Sequence, residues 1–212
     1  MFRFNITQIL ISLPGIIIGL AFHEFAHALA SDRLGDPTPR SQGRLTISPF
    51  PHIDFIGFFM LIFMGFGWAR PVQINPKYYK NPRRDSIIVS AAGPVTNLIV
   101  ATVFVIFARI FLSTNLPYKL SGNVVNSIIG IFDYAIQINI ILFLFNLLPV
   151  PPLDGFHILV NLLPFRYYRL VSVLERYGSI ILIILIFTGA TSYIITNPAR
   201  LIYHYLFRIF GP

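Results

Sequence analysis

The sequence predicts an all-α polytopic membrane protein, and three observations carry that expectation. Of 212 residues, 55% are hydrophobic and only 11% charged, whereas an ordinary soluble domain is about 25% charged. Four apolar stretches are long enough to cross a hydrocarbon core of about 30 Å, with polar or Gly/Pro-rich turns between them. No long polar, repetitive or low-complexity segment is available as a linker. The expectation is one unit over 1–212, with a core over about 6–160 and a C-terminal span and interfacial helix over 161–212.

The first span is Ile6 to Ala30, almost continuously apolar and mildly interrupted by Pro14 and Gly15. Arg3, the apolar run and Ala28-Leu29-Ala30 imitate a secretory signal. The run is longer than a typical signal core and its basic start is one arginine, so a permanent span is expected. Ser31 to Asp54 is polar and rich in Gly and Pro, which places it outside the hydrocarbon or at its edge. In it, Arg44 to Ser48 alternates polar and apolar residues like a short strand, and Pro71 to Pro76 is a second extended piece. Between them, Phe55 to Trp68 holds 14 apolar residues, about 21 Å of helix and short for a span. Basic residues flank it on both sides, so a re-entrant or short fifth segment is expected, its flanking strands offering an edge to an unwound peptide.

Ser86 to Leu112 is the second clear span, with Ala91-Ala92-Gly93-Pro94-Val95-Thr96-Asn97 in its first half. Small residues there let a neighbouring backbone approach, and Pro94 frees a carbonyl. Ordinary helix packing explains Gly93 and Pro94 equally well, but the Asn97 amide at membrane depth needs a partner. The third span, about Val124 to Leu148, contains Asp133 and Asn139 and runs into Asn146-Leu147-Leu148-Pro149-Val150-Pro151-Pro152-Leu153-Asp154-Gly155. Three prolines in four positions cannot continue a helix, so Asp154 is expected on an irregular loop. His157 to Tyr177 reads as a short helix and a basic interfacial stretch, Gly178 to Thr196 as the fourth span, and Asn197 to Pro212 as another interfacial helix.

The first span carries His23-Glu24-Phe25-Ala26-His27. Residues four apart share a helix face, so the two imidazoles can serve one Zn²⁺, with Glu24 beside them as a general base. The alternative, two neutral packing histidines, leaves a buried glutamate between them unexplained. Crossing parity supplies a third ligand. If the first span ends on one side and the re-entrant segment returns there, the second span leaves and the third comes back. His23, Glu24, His27 and Asp154 then meet on one side, and Asp154 is a permitted ligand, with His157 the nearest competitor. His52 reads as a loop residue and His204 as interfacial. Cysteine is absent, so any zinc site must use His, Asp or Glu.

Formal charge is +8, from 16 Lys and Arg against 8 Asp and Glu. The basic residues cluster beside apolar segments, as orientation signals and headgroup contacts, and no nucleic-acid motif accompanies them. Arg33, Arg40, Arg44, Arg70, Lys77, Lys80, Arg83, Arg84, Arg166, Arg169 and Arg176 fall on the side of the His-Glu motif. Arg3, Lys119, Arg200 and Arg208 fall opposite. The expected location is the cell membrane, with the site near the cytoplasmic face.

Three ordered elements, the His23 to His27 motif, Ala92 to Asn97, and Asn146 through Asp154-Gly155, resemble the site-2 protease family of intramembrane zinc metalloproteases. Gly65-Phe66-Gly67-Trp68-Ala69-Arg70-Pro71-Val72 is similar to its small stand-alone members without PDZ or CBS domains. The resemblance covers about residues 10–160. It implies that His23, His27 and Asp154 hold one zinc ion and that Glu24 activates water. It also implies that Asn146, Asn97, Gly93 and Pro94 line or position a transmembrane substrate. A catalytically silent membrane adaptor and a metal transporter are the rival functions. Glu24 argues against the first, and the few polar residues in spans two and four against the second.

Overall fold

The structure is a computed structural model that describes residues 6–64 and 67–211. Gly65 and Phe66, in the expected re-entrant run, and Arg3 lie outside the described residues. The main helices are α1 (Ile6–Arg33), α2 (Phe55–Met64), α3 (Pro82–Ser113), α4 (Gly122–Asn146), α5 (Asp154–Leu162), α6 (Tyr168–Phe187) and α7 (Ala190–Phe210). Among the described residues, four stretches are long and apolar enough to cross a membrane: Thr7–Arg33, Pro82–Ser113, Gly122–Asn146 and Phe165–Phe187.

Helices α1, α3 and α4 form the centre of the molecule, and small residues bring them together. A Cβ on Gly15 would lie 2.5 Å from Ala135 Cα, and one on Gly19 would lie 2.6 Å from Asn139 Oδ1. These two glycines, one turn apart, let α1 lie directly against α4. Val100, Ala101, Phe104 and Val105 of α3 meet Ala135, Ile136 and Ile140 of α4 in a buried apolar cluster. Helix α7 covers that cluster with Ala199, Ile202, Tyr203, Leu206 and Phe207, and the Tyr203 hydroxyl donates to Asp133 Oδ1 at 2.6 Å.

Helix α2 begins at Asp54, whose carboxylate caps the Gly57 amide at 2.8 Å. Its ten residues make about 15 Å of helix. The chain on either side of the segment meets itself: Ile53 bridges Ala69, and the Arg70 amide donates to the His52 carbonyl at 2.8 Å. The chain before α2 and the chain from Ala69 onward thus lie side by side.

Two expectations are corrected. Among the described residues there is no β-strand; Arg44 to Ser48 and Pro71 to Asn75 have no regular secondary structure, and Ile53–Ala69 is an isolated bridge. Side chains take the backbone groups that a ladder would use. The Arg44 guanidinium donates to the carbonyls of Pro51, Arg70 and Pro71; His52 Nε2 bonds the Thr46 carbonyl; Glu24 and Asp36 accept the Val72 and Asn75 amides. The strand edge therefore loses its basis. Second, the fourth span-length apolar helix is Phe165–Phe187, whereas the sequence suggested 178–196. Gly189, at φ 76°, is the left-handed residue that ends α6 and starts α7. Arg166 and Arg169 stand at the start of the apolar stretch, where long cationic side chains can reach headgroups.

Candidate metal centre

His23 and His27 lie one turn apart on α1, both buried, with Nε2 atoms 3.0 Å apart. Helix α5 brings Asp154 to them from its first turn, which corrects a third expectation, that of an irregular loop: the chain re-enters a helix directly after Leu153. Asp154 Oδ2 is 3.2 Å from His23 Nε2, and Oδ1 is 3.3 Å from His27 Nε2. Gly155 makes this approach possible, because a Cβ there would stand 2.3 Å from the Leu147 carbonyl oxygen. The loop after α4 can fold back on the helix end only without that side chain.

Each imidazole is oriented through its other nitrogen. His23 Nδ1 is 2.7 Å from Asn97 Oδ1, and His27 Nδ1 is 2.7 Å from the Val89 carbonyl oxygen. Val89 lies on α3 one turn before Gly93, so its carbonyl reaches His27 from the helix that carries that glycine. Both partners are acceptors, so in the neutral imidazoles both Nδ1 atoms carry the proton and both Nε2 atoms present bare lone pairs. Two lone pairs and a carboxylate then face one another without a donor, and Asp154 Oδ2 is buried with no hydrogen-bond partner. Such a donor set fits a divalent cation. The three ligand atoms lie within 4.8 Å of one another, and two imidazoles with one carboxylate suit zinc with a position left open.

Glu24 is also buried, and its Oε2 accepts the Val72 amide at 2.9 Å. That bond holds the segment after α2 beside the site. Gly93 leaves room for the histidines: a Cβ there would meet His27 Nε2 at 2.4 Å and His23 Cε1 at 2.7 Å. Asn97 is fully buried, and its amide is engaged by His23, Gly19 and Asn139. Asn146, at the end of α4, donates to the Leu142 carbonyl of its own helix at 3.0 Å. Pro94 is buried in α3.

The remaining histidines stay outside the cluster. His157 is exposed beside Phe156, His204 is exposed on α7, and the buried His52 bonds the loop carbonyl of Thr46. Asp154, and not His157, joins the pair on α1. Sequence reasoning named Asn139 among the polar residues of the third span but gave this buried amide no role at the site. The visible signal was an asparagine at membrane depth.

Comparison with known proteins agrees with this geometry. The description "Peptidase family M50" matches residues 116–188. Over 180 residues, 85% of this chain and 81% of the relative, the sequence is 39% identical to "Putative zinc metalloprotease YwhC" of Bacillus subtilis strain 168. The chain belongs to peptidase family M50, the site-2 proteases. Two further relatives carry the same style of name. MJ0611 of Methanocaldococcus jannaschii is 32% identical over 154 residues, 72% of this chain and 71% of that protein. Rip2 of Mycolicibacterium smegmatis is 28% identical over 183 residues, 84% of this chain and 67% of that protein. No solved structure matches the chain. The M50 match begins after α3 and so does not include the His-Glu motif on α1.

Proposed function

We propose that this M50 protein is a zinc-dependent endopeptidase that hydrolyses peptide bonds in or beside transmembrane segments of other membrane proteins. The observation that carries the reading is the donor-free cluster of His23, His27 and Asp154 with Glu24 next to it. Zinc, when bound there, supplies Lewis acidity that acidifies water and polarises a peptide carbonyl. Glu24 takes the proton of the attacking water on the oxygen not held by Val72, and returns it to the leaving amine. Asn97 and the Val89 carbonyl keep the two imidazoles in the tautomer that leaves Nε2 free. Gly93 keeps space open in front of them. Gly93 and Asn97 thus have roles toward the histidines beside the substrate contacts proposed for them together with Pro94 and Asn146.

The bilayer is the second partner, and charge supports an orientation. The guanidinium of Arg83, at the start of α3, lies 4.4 Å from the Phe165 ring centroid. The basic segments 77–84 and 165–176 therefore adjoin each other at the end of α3 that carries Gly93. By the positive-inside rule this end is cytoplasmic, in the cell membrane.

The test is zinc content together with cleavage of a transmembrane substrate, for wild type, Glu24→Gln and Asp154→Ala. Glu24→Gln is expected to keep zinc and lose cleavage by about 10²–10⁴-fold, the usual worth of a general base. Asp154→Ala is expected to lose zinc. A wild-type protein that binds no zinc overturns the reading, and zinc binding with no cleavage leaves the transporter or adaptor.

A further inference from the structure

Behind the histidines, three helices share a buried chain of amides. Asn139 of α4, fully buried, donates through Nδ2 to the Gly15 carbonyl at 3.1 Å and to the Ala135 carbonyl at 2.8 Å. Both of its N–H groups are then used, so its Oδ1 faces Asn97. Asn97 donates through Nδ2 to that oxygen at 3.1 Å and to the Gly19 carbonyl at 3.0 Å. Its own Oδ1 is left facing His23 Nδ1 at 2.7 Å.

An asparagine's oxygen and nitrogen are normally hard to tell apart, and hydrogen-bond partners must decide. Here they decide fully, because the chain ends on three backbone carbonyls, of Gly15, Ala135 and Gly19, which can only accept. Reversing either amide would set carbonyl oxygen against carbonyl oxygen. Asn97 must therefore present an acceptor to His23, and the His23 proton must sit on Nδ1. His27 has no share in this arrangement, since the Val89 carbonyl fixes its tautomer independently.

We infer that Asn139 is a positioning residue for the metal centre: through Asn97 it fixes the tautomer of His23 and so keeps His23 Nε2 free to bind a cation. Asn139 touches neither histidine and lies 116 positions beyond His23 in the chain. Its loss leaves Asn97 with one anchor, the Gly19 carbonyl, and one unsatisfied N–H. A rotated Asn97 would then offer its amide hydrogens to His23 Nδ1. The proton would move to Nε2, between His23 and Asp154, where the cation belongs. The inference rests on the metal-site reading proposed above.

The experiment uses the full chain in detergent, with two measurements on wild type, Asn139→Leu, Asn139→Asp and Ile136→Ala. One is zinc affinity by chelator competition. The other is the ring ¹⁵N spectrum of labelled histidine in chelator-treated protein, readable because the chain has five histidines. Asn139→Leu is expected to weaken zinc by roughly 10-fold or more, the usual effect of changing an outer partner of a ligand. It should also move the ring signals of one histidine while those of His27 stay in place. Asn139→Asp, whose protonated carboxyl can still accept from Asn97 and donate to a carbonyl, should restore both. Ile136→Ala opens a cavity in the same stretch of α4 without touching the amides, and should lower the melting temperature with zinc affinity unchanged. If Asn139→Leu fails to fold, Asn139→Ala is measured in its place. Wild-type zinc affinity in Asn139→Leu, or an equal loss in Ile136→Ala, overturns the inference and leaves the metal site standing. Absence of zinc from the wild type overturns both.

Discussion

The hydrogen atom that serves Gly93 as a side chain is what lets His23 and His27 stand as they do. A methyl group there would fall 2.4 Å from His27 Nε2, on the atom that a metal needs. Gly93→Ala is therefore expected to displace the imidazoles and weaken zinc by about tenfold or more, from an overpacking cost of about 1–3 kcal/mol. Helix content by circular dichroism should not change. A variant with wild-type zinc affinity would show that the rings can give way. The candidate cluster itself was legible in the chain, because two histidines four apart share a helix face whatever surrounds them, and crossing parity brings Asp154 back to the same side. The roles of Gly93, Asn97 and Asn139 were not. They depend on the register of α3 and α4 against α1, set by the close approach of Gly15 and Gly19, which no local pattern encodes.

Helix existence followed from apolar length, and α1, α3 and α4 begin or end within a few residues of where the sequence placed them. The boundary between α6 and α7 did not follow, because hydropathy runs on past Thr188 while the left-handed Gly189 stops the helix. The loops failed for a different reason: alternation suggests a strand only if the backbone groups are free to pair. Here side chains claim them, most completely at Asp36. That fully buried carboxylate accepts from the Ser31 hydroxyl, the Thr38 amide and hydroxyl, and the Asn75 amide, at 2.8, 3.0, 2.5 and 2.7 Å. It pins the end of α1 to the chain on both sides of α2. Burial alone would raise its pKa, but the donors from Thr38, Asn75 and Ser31 hold it below the ordinary carboxylate value of 3.8. A depressed folded pKa contributes stability that is present above the unfolded value and lost as pH falls through the folded one. Asp36→Asn is thus expected to cost about 1–3 kcal/mol at neutral pH by leaving donors unpaired. It should also flatten the fall in melting temperature on the acid side of the ordinary carboxylate value, where the folded wild-type carboxylate takes up its proton. Parallel acid limbs in the two proteins would remove Asp36 from that role.

Across the whole molecule, the candidate ligands come from two places far apart in the chain: the first span and the helix that follows the third. A cation held by His23, His27 and Asp154 would close a loop containing α2, α3 and α4. Binding to the folded state alone stabilises it by RT ln(1 + [L]/Kd), about 2.7 kcal/mol when free metal is a hundred times Kd. The same loop after α4 carries Pro151 against α6, where a Cβ on Gly178 would lie 2.5 Å from the proline ring. Loosening Asp154 should therefore loosen the seat of the fourth apolar helix as well. Chelation is expected to lower the melting temperature of wild type and of Glu24→Gln alike, since Glu24 is not a ligand, and to sensitise residues 147–153 to added protease. Asp154→Ala should melt at the lower temperature with or without zinc, since the clasp is already open. If chelation shifts Asp154→Ala as far as wild type, the stabilising cation is held somewhere other than between α1 and α5. An unchanged wild-type midpoint would mean that the helices hold one another without it.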